Sequence, residues 1–347
     1  MNEQNRICVT GASGYIASHI TGQLLASGYR VRGTVRRSPG DYPWLTGLPG
    51  ARERLELVTA DLLREGSFGH AVEGCRHVMH TASPYALDVR DPERDLLEPA
   101  LHGTRQVLEA SLASGSVERV VLTSSIAAVT DEPRSGHTYT EEDWNERSSL
   151  ARNPYHYAKT MAERAAWEFM ERRKPGFDLV AINPTLVTGP SLGPSLNTSN
   201  AMLRDILSGV YPALMDMNWG FVDVRDTARA HILAMEIPEA SGRYLCTAGE
   251  MTMKELVGLL RENGYGRYPL PRADLSGRAG TALMKLLSRT QPRHIGTFIR
   301  THIGRTIRVG SEKITRELGM RFTPPEESIL EALEDMIRQG HLPDRRG

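Results

Sequence analysis

The sequence predicts an α/β protein with a doubly wound parallel sheet, and two observations carry this prediction. The first is a strand, a glycine turn and a helix at the start of the chain, from Arg6 to Ser27. The second is the alternation of short β-branched runs with helical stretches as far as residue 184. Alternating strands and helices form parallel sheets with helices on both faces, and ligands bind at the carboxyl ends of the strands.

The strands are predicted from short runs of β-branched and apolar residues that end at glycine, proline or polar positions. They are Arg6–Thr10, Arg30–Val35, Leu55–Thr59, His77–His80, Glu118–Thr123 and Asp178–Asn183. Two long helices are predicted between them, Leu96–Ser114 and Asn153–Arg173. In the second helix we expect Asn153 as the N-cap and Pro154 as the first helical residue.

Composition excludes several classes of protein. Lysine plus arginine and aspartate plus glutamate both number 42, so the net charge is zero, which argues against nucleic acid or an anionic membrane as partner. Three cysteines far apart in sequence (Cys8, Cys75, Cys246) predict neither a disulfide framework nor a metal site. The polar start, residues 2–6, has no secretory apolar core, and we expect a cytoplasmic protein.

The glycine turn is Gly11-Ala12-Ser13-Gly14-Tyr15-Ile16-Ala17, a Gly-x-x-Gly-x-x-Ala pattern directly after the first strand. A helix that starts at such a turn exposes unpaired amides and positive dipole charge, which suit a pyrophosphate. Gly11 would allow the turn, Gly14 would let phosphate approach the backbone, and Ala17 would let the helix pack on the strand. An ordinary strand–turn–helix is the simpler alternative.

Arg36 and Arg37 follow the second strand, where a dinucleotide site meets the adenosine ribose. A carboxylate there would accept from a ribose 2′-hydroxyl, whereas arginine suits a 2′-phosphate. The pair therefore predicts NADP(H) over NAD(H). Two exposed loop arginines are the alternative.

Two further strand ends add candidate cofactor contacts. Asp61-Leu62 follows the third strand, where the carboxylate could accept from the adenine amino group or cap the next turn. Thr81-Ala82-Ser83 follows the fourth strand, and its small side chains would allow close approach of a cofactor. A plain turn before Pro84 would explain the same residues.

The strongest chemical pattern is Tyr155-His156-Tyr157-Ala158-Lys159. Positions i and i+4 share one helix face, so Tyr155 and Lys159 are expected to lie together, whereas Tyr157 faces elsewhere. A phenol titrates near ~10, and a neighbouring cation lowers its pKa, which would make Tyr155 a proton donor near neutral pH. Thr123-Ser124-Ser125 at the end of the fifth strand supplies hydroxyls beside it.

Six segments together carry a family resemblance: Val9–Ala17, Val121–Val129, Tyr155–Trp167, Asn183–Pro190, Phe221–Asp226 with His231, and Tyr268–Pro271. The chain resembles the extended short-chain dehydrogenases/reductases with their Rossmann-type fold. Within them it is similar to the branch of dihydroflavonol reductases, cinnamoyl-CoA reductases and yeast-type aldehyde (methylglyoxal) reductases. The likeness covers nearly the whole chain and is weakest from about Arg272 to Arg308.

The resemblance implies an NADPH-dependent carbonyl reductase that transfers hydride to an aldehyde or ketone and gives an alcohol. Ser125 would hold the carbonyl oxygen, with Ser124 as the neighbouring candidate. Tyr155 would protonate that oxygen, Lys159 would bind the nicotinamide ribose, and Pro184 to Val187 would line the nicotinamide. The expected cofactor site comprises Gly11, Ser13, Gly14, Tyr15, Ile16, Arg36, Asp61, Leu62, Thr81, Ala82, Ser83, Thr123, Tyr155, Lys159, Pro184 and Val187.

The sequence pattern changes after Pro184 to shorter and less regular elements, which predicts a two-part organisation. Residues 1–184 would form the NADP-binding domain, to which 221–243 return as one more strand and helix of the main sheet. Residues 185–347 would form mainly a substrate-binding cap, with helices at Leu256–Asn263, Ala282–Ser288 and Glu327–Gln339. Loops 85–90, 131–144 and 188–211 would shape the pocket. Family members are monomers or homodimers, and the expected partner is a small carbonyl compound.

Other classes share this fold. A sugar-nucleotide epimerase or a hydroxysteroid-type dehydrogenase is the main alternative, but epimerases generally retain NAD(H), which Arg36 and Arg37 disfavour. Dehydratases place an Asp-Glu pair beside the catalytic hydroxyl, whereas Ile126 to Ala128 follow Ser125 here. A non-catalytic NADP(H)-sensing protein would typically lack the Tyr or Lys. Plant cinnamoyl-CoA reductases carry Asn-Trp-Tyr-Cys-Tyr where this chain has Asn-Pro-Tyr-His-Tyr, which argues against a CoA thioester.

Overall fold

The structure is a computed structural model that describes residues 6–83, 89–291 and 293–346. Residues 2–5, Pro84 and positions 85–88 of the predicted pocket loop lie outside this part of the chain. The strands are β1 Arg6–Thr10, β2 Arg30–Val35, β3 Leu55–Thr59, β4 His77–His80, β5 Arg119–Thr123, β6 Asp178–Pro184, β7 Leu186–Thr188, β8 Ala213–Met215, β9 Asn218–Asp223, β10 Gly242–Cys246, β11 Gly249–Thr252 and β12 Ala273–Leu275.

The helices alternate with these strands in the first half of the chain and dominate the end. They are α1 Tyr15–Ala26, α2 Pro43–Thr46, α3 Ala51–Arg54, α4 Gly69–Val72, α5 Glu98–Ser114, α6 Pro154–Arg173, α7 Thr198–Leu207, α8 Val224–Glu236, α9 Met253–Glu262, α10 Arg278–Leu287, α11 Arg293–His302, α12 Glu312–Leu318 and α13 Pro325–Arg338. Within the described ranges, no helix combines the length and apolar character that a membrane crossing requires.

The main sheet has seven parallel strands in the order β10-β6-β5-β4-β1-β2-β3. The chain leaves β1 in one direction and returns at β4 on its other side, so the strand order reverses between them. Such a switch point opens a crevice at the carboxyl ends of the strands, where doubly wound proteins bind their ligands. The predicted fold class is confirmed.

Both faces of this sheet are covered, because alternate residues of each strand point to opposite sides. Ile7 and Val9 of β1 are buried in one core cluster with apolar residues of α1 and α8. Cys8, between them, belongs to a second cluster with residues of α5 and α6. The sheet is therefore the middle of three layers. The helices packed on its two faces hold the carboxyl ends of the strands in place.

A smaller unit follows β6. It contains a three-stranded sheet in the order β11-β9-β7 and a parallel pair of β8 and β12. Its own core joins residues of α7, α9 and α13, for example Leu203, Leu256 and Leu333. The prediction that the strand beginning near Phe221 belongs to the main sheet is wrong, because β9 pairs with β7 and β11. α8 packs against the main sheet, and β10, which follows it, supplies the seventh strand of that sheet.

The start of α6 also differs from the prediction. Asn153 precedes the helix and Pro154 is its first residue, as expected, but Asn153 makes no side-chain cap. Its backbone is left-handed, with φ of 48°, and its side-chain amide donates instead to Asp131 and Thr301. Asparagine tolerates this conformation better than most residues. The residue therefore ties the start of α6 to a neighbouring loop and to α11.

Candidate active site

The glycine turn lies where the fold predicts, between β1 and α1. Gly11 has a φ of +64°, and its amide donates to Thr34 Oγ1 at 2.8 Å. A Cβ at Gly11 would lie 3.2 Å from Ala82, and one at Gly14 would lie 3.1 Å from the Gly11 carbonyl oxygen. No side chain caps the N-terminus of α1, where Gly14 is the N-cap. The first-turn amides are therefore available to a phosphate, as a dinucleotide requires.

The residues after the turn connect α1 to the smaller unit. Tyr15 is partly buried, and its hydroxyl donates to the Gly189 carbonyl at 2.7 Å. The His19 ring nitrogen Nε2 lies 2.9 Å from the Pro190 carbonyl oxygen and donates to it. The cofactor turn is thus tied to the loop after β7.

The two arginines after β2 differ in their surroundings. Arg37 lies over the Tyr42 ring, 5.7 Å from its centroid, and its backbone amide donates to the Tyr42 hydroxyl. Arg36 is exposed and makes no hydrogen bond or ion pair with any residue that the structure describes. Of the two guanidiniums, the one of Arg36 is therefore available for a ligand phosphate.

Asp61 and Leu62 lie beyond β3, on the same edge of the sheet. Asp61 Oδ1 accepts from the Leu63 amide at 2.9 Å, so one carboxylate oxygen caps the turn. Leu62 packs close to Gly103 of α5, and its carbonyl accepts from Gln106. The turn-capping alternative therefore describes part of what Asp61 does.

The loop after β4 is fixed by Thr10 at the end of β1. The Thr10 hydroxyl oxygen accepts from the amides of Thr81 and Ala82, at 3.1 and 3.0 Å. With its oxygen so occupied, this hydroxyl donates to Nδ1 of His80, 3.0 Å away. Burial, and then the charge of Lys159, lower the His80 pKa to about 3, so the ring is neutral. Thr81 to Ser83 therefore form a rigid wall against the glycine turn.

The serines that follow β5 have separate environments. Ser124 is buried, and its hydroxyl donates to Glu163 Oε2 at 2.5 Å. Ser125 is partly exposed, and its hydroxyl oxygen accepts from the Ala127 amide at 3.1 Å. A substrate can reach only the second of these hydroxyls, which favours Ser125 over Ser124.

Thr123 is oriented by a histidine of α8. Its hydroxyl lies 2.7 Å from His231 Nε2, and His231 Nδ1 lies 2.7 Å from the Thr227 carbonyl oxygen. Because a carbonyl only accepts, Nδ1 carries the proton and the Thr123 hydroxyl donates to Nε2. The Thr123 hydroxyl proton is thus committed inside the protein.

Tyr155 and Lys159 lie one turn apart on α6. Lys159 is buried, with 9% of its surface exposed, and its ammonium donates to Ser83 Oγ at 3.0 Å. Burial lowers the Lys159 pKa to about 8, although Glu163 opposes the shift. Tyr155 is partly exposed, in edge-to-face contact with His156. Lys159 lines a small cavity with Ser83, which follows β4, and with Thr123 and Ser124 at the end of β5.

Pro184 at the end of β6 and Val187 in β7 complete this edge of the sheet, and both are buried. Asn183, just before them, donates from Nδ2 to the Ser125 carbonyl at 3.2 Å and to Glu163 at 2.8 Å. The predicted residues thus lie at the carboxyl ends of six neighbouring strands, β1 to β6, along one edge of the main sheet.

One group of side chains has the composition of a metal site. Ligand atoms of Asp131, His156 and His302 lie within 4.8 Å of one another. Both oxygens of Asp131 already accept hydrogen bonds, from Asn153 and from Arg152. We therefore assign this group to the attachment of α11 to α6.

Comparisons with known proteins agree with this geometry. Residues 7–246 match the model of the NAD dependent epimerase/dehydratase family. The chain belongs to this family. A cinnamoyl-CoA reductase of Medicago truncatula is 39% identical over 96% of this chain and 96% of that protein. A bifunctional dihydroflavonol 4-reductase/flavanone 4-reductase of Malus domestica is 36% identical over 78% and 79%.

Among solved structures, the yeast methylglyoxal/isovaleraldehyde reductase in complex with NADPH superposes with a TM-score of 0.81. It is 30% identical and the match covers 97% of this chain and 99% of that one. The predicted branch of the extended short-chain dehydrogenases/reductases is confirmed, and the chain is an oxidoreductase of that family, a reductase. The prediction of NADP(H) agrees with the NADPH in the yeast structure.

Several residues of this reductase were not predicted from the sequence. Thr10 and Thr34 hold the glycine turn and the loop after β4 in place, and Glu163 with Arg243 lies behind Ser124. Short-range patterns do not show these roles, because each depends on a partner at least 23 positions away. The one usable signal was the acid four residues after Lys159 on the same helix face.

Proposed function

We propose that this chain is an NADPH-dependent carbonyl reductase in which Ser125, Tyr155 and Lys159 reduce an aldehyde or ketone to an alcohol. The observation that carries the proposal is the placement of Lys159. Its ammonium is buried at the strand ends, held by Ser83 and one helical turn from Tyr155, with an accessible Ser125 on the neighbouring strand. A reductase of this family needs a serine, a tyrosine and a lysine together at the point where the nicotinamide would lie.

The chain fits a dinucleotide. The first turn of α1 leaves amides for the pyrophosphate, and side chains at Gly11 or Gly14 would crowd that space. Arg36 would bind the 2′-phosphate of the adenosine ribose, with Asp61 near the adenine. Lys159 would bind the nicotinamide ribose, and the walls at 81–83 and 184–187 would enclose the ring. When bound, NADPH supplies the hydride that the carbonyl carbon receives.

The protein's own groups handle the oxygen. As the carbonyl carbon becomes tetrahedral, negative charge develops on its oxygen. The Ser125 hydroxyl donates a hydrogen bond to that oxygen, and Tyr155 transfers its phenolic proton to it, giving the alcohol. The positive charge of Lys159 favours the phenolate that remains on Tyr155. The smaller unit, which residues 185–347 form apart from α8 and β10, would close the substrate side and select the carbonyl compound.

The test is absorbance of the reduced nicotinamide with NADPH or NADH and a panel of aldehydes, ketones, a dihydroflavonol and a cinnamoyl-CoA. We expect NADPH consumption with at least one carbonyl compound. Tyr155→Phe removes only the transferable proton, so kcat should fall by about 10²- to 10⁴-fold. Tyr157→Phe, two positions along the same helix, is the matched control and should change kcat by less than about threefold.

Two results would overturn the proposal. Absence of NADPH consumption across the panel, with NAD retained through purification, would favour an epimerase. Equal kcat in the Tyr155→Phe variant and the wild type would remove Tyr155 from the mechanism.

A further inference from the structure

Glu163 is a buried carboxylate one turn beyond Lys159 on α6. It is 1% exposed. Its Oε1 accepts from Arg243 Nε at 2.6 Å and from Trp167 Nε1 at 3.2 Å. A carboxylate this far from water is stable as an anion only when it is paired and fully hydrogen-bonded. Glu163 is therefore a fixed negative charge inside the domain.

The other oxygen of Glu163 leads to the reacting serine. Oε2 accepts from Ser124 Oγ at 2.5 Å and from Asn183 Nδ2 at 2.8 Å. Asn183 also donates to the Ser125 carbonyl at 3.2 Å, and Ser124 directly precedes Ser125 in the chain. The Ser125 backbone is thus held on two sides by donors that share one carboxylate oxygen. A shift of that oxygen would displace the Ser125 hydroxyl.

The same carboxylate affects Lys159. Lys159 and Glu163 line one small internal cavity together with His80, Ser83 and Ser124. Burial destabilises the ammonium form of Lys159, and the negative charge of Glu163 stabilises it.

The other ionisable groups around Lys159 do not replace this effect. His80, from the end of β4, is held neutral by burial. Tyr155 lies one turn before Lys159 on the same helix. Arg243 lies behind Glu163 and adds a positive charge, which opposes the ammonium. Within the described residues, Glu163 supplies the negative charge that favours protonated Lys159.

We propose that Glu163 is a positioning residue of the reductase site, which fixes Ser125 through Ser124 and Asn183 and keeps Lys159 in its ammonium form. This inference rests on the proposed function, because that function gives Ser125 and Lys159 their roles. Glu163 acts through these neighbours and does not touch the substrate.

The test measures two quantities from pH 6 to 10. One is the affinity for NADPH, followed by the fluorescence of the nucleotide, and the other is kcat with the best carbonyl substrate. In the wild type, binding should weaken as the pH rises through about 8, where Lys159 loses its proton. Glu163→Gln keeps the shape and removes the charge. The pH at which NADPH binding weakens, the alkaline limb of the binding profile, should fall by about one pH unit in this variant. At pH 6.5, its kcat should fall about tenfold with NADPH affinity unchanged, because Ser125 alone is displaced.

Trp167→Phe is the matched control. It removes one donor to the same carboxylate and leaves the charge, so its alkaline limb should stay at the wild-type pH. Glu163→Gln leaves the buried charge of Arg243 without its carboxylate partner, and the variant can therefore fail to fold. The double variant Glu163→Gln, Arg243→Gln leaves no unpaired charge, and its limb should also move down.

The proposal is overturned if the limb of a folded Glu163→Gln or double variant stays at the wild-type pH, or if Trp167→Phe moves it equally. NADPH binding needs no turnover, so this outcome is separate from a failure of the proposed function. That failure would show as absent catalysis or as full activity in Tyr155→Phe.

Discussion

The ammonium nitrogen of Lys159 lies 3.0 Å from Ser83 Oγ, and this hydrogen bond joins α6 to the loop after β4. It lies at the switch point of the sheet, the position where a doubly wound protein binds its ligand. Burial lowers the Lys159 pKa to about 8 from its ordinary 10.5, and the negative charge of Glu163 opposes this shift only in part. The folded protein thus keeps a buried cation at this position although burial destabilises its charge.

Replacing this cation should stabilise the free enzyme. One pKa unit corresponds to about 1.4 kcal/mol, so the shift from 10.5 to about 8 corresponds to about 3 kcal/mol at neutral pH. We expect Lys159→Met to raise the free energy of unfolding by about 1–3 kcal/mol at pH 7, with loss of the Ser83 bond offsetting part of the gain. Urea denaturation without cofactor measures the free energy of unfolding of both proteins. The reductase activity of Lys159→Met should disappear.

The pH dependence of this difference checks its cause. Between pH 8 and 10.5 the unfolded state holds a proton on Lys159 that the folded state has lost, so wild-type stability gains from rising pH. The advantage of Lys159→Met should therefore shrink at pH 10. An advantage of equal size at pH 7 and pH 10 would assign it to packing instead.

Cofactor preference should depend on Arg36 and much less on Arg37. A hydrogen bond to a charged group contributes roughly 1.5–3 kcal/mol, so Arg36→Ala should lower the ratio of NADPH to NADH affinity about ten- to hundred-fold. Arg37 is engaged by Tyr42, and Arg37→Ala serves as the control. Titration of both nucleotides by fluorescence measures the ratio. An unchanged ratio in Arg36→Ala would remove this residue from 2′-phosphate binding.

The two serines after β5 should separate stability from catalysis. Ser124→Ala removes a donor from a buried carboxylate and should cost about 1.5–3 kcal/mol of unfolding free energy. Ser125→Ala should leave the unfolding free energy within about 1 kcal/mol and lower kcat by about 10²- to 10³-fold. Denaturation and steady-state kinetics on both variants measure these two effects. A large loss of kcat in Ser124→Ala with a large loss of stability in Ser125→Ala would exchange the roles of the two serines.

Two glycines beside the cofactor loops should respond differently to alanine. A Cβ at Gly33 would lie 2.8 Å from the Ala12 Cβ and 3.0 Å from Leu57, and Gly33→Ala should cost about 1–3 kcal/mol. A Cβ at Gly103 would meet Leu62, 2.5 Å away, but that side chain is flexible and the helix gains about 1 kcal/mol from alanine. Thermal or urea unfolding should show a large loss for the first variant and a change within about 1 kcal/mol for the second.

Local sequence patterns predicted the features of this fold that depend on neighbouring residues in the chain, such as strand bounds and helix faces. The bounds of β2, β3 and β4 agree with the predicted ones, because each is a short β-branched or apolar run that ends at a polar residue. The Tyr155–Lys159 pair follows from helix geometry alone. Sheet membership is different: β9 has the pattern of any buried strand, and pairing with β7 and β11 depends on tertiary contacts.

Sequence patterns also could not predict the contacts around the proposed catalytic hydroxyls. Glu163 meets Arg243 across 80 positions and Ser124 across 39, and neither spacing has a repeat that would reveal it. The side chain of Asn153 could cap α6 or reach across to Asp131, and only the packed structure distinguishes them. The nature of the site was therefore predictable, whereas its supporting contacts were not.

The bonds from Tyr15 and His19 to the Gly189 and Pro190 carbonyls have a consequence for protein engineering. A loop exchange at 188–211 aimed at a new substrate also replaces the carbonyl groups that accept from Tyr15 and His19 of α1. A transplanted loop keeps NADPH affinity only if its own backbone presents two carbonyls at the same places. Libraries for altered selectivity are therefore best confined to positions beyond Pro190, leaving the Gly-Pro anchor unchanged.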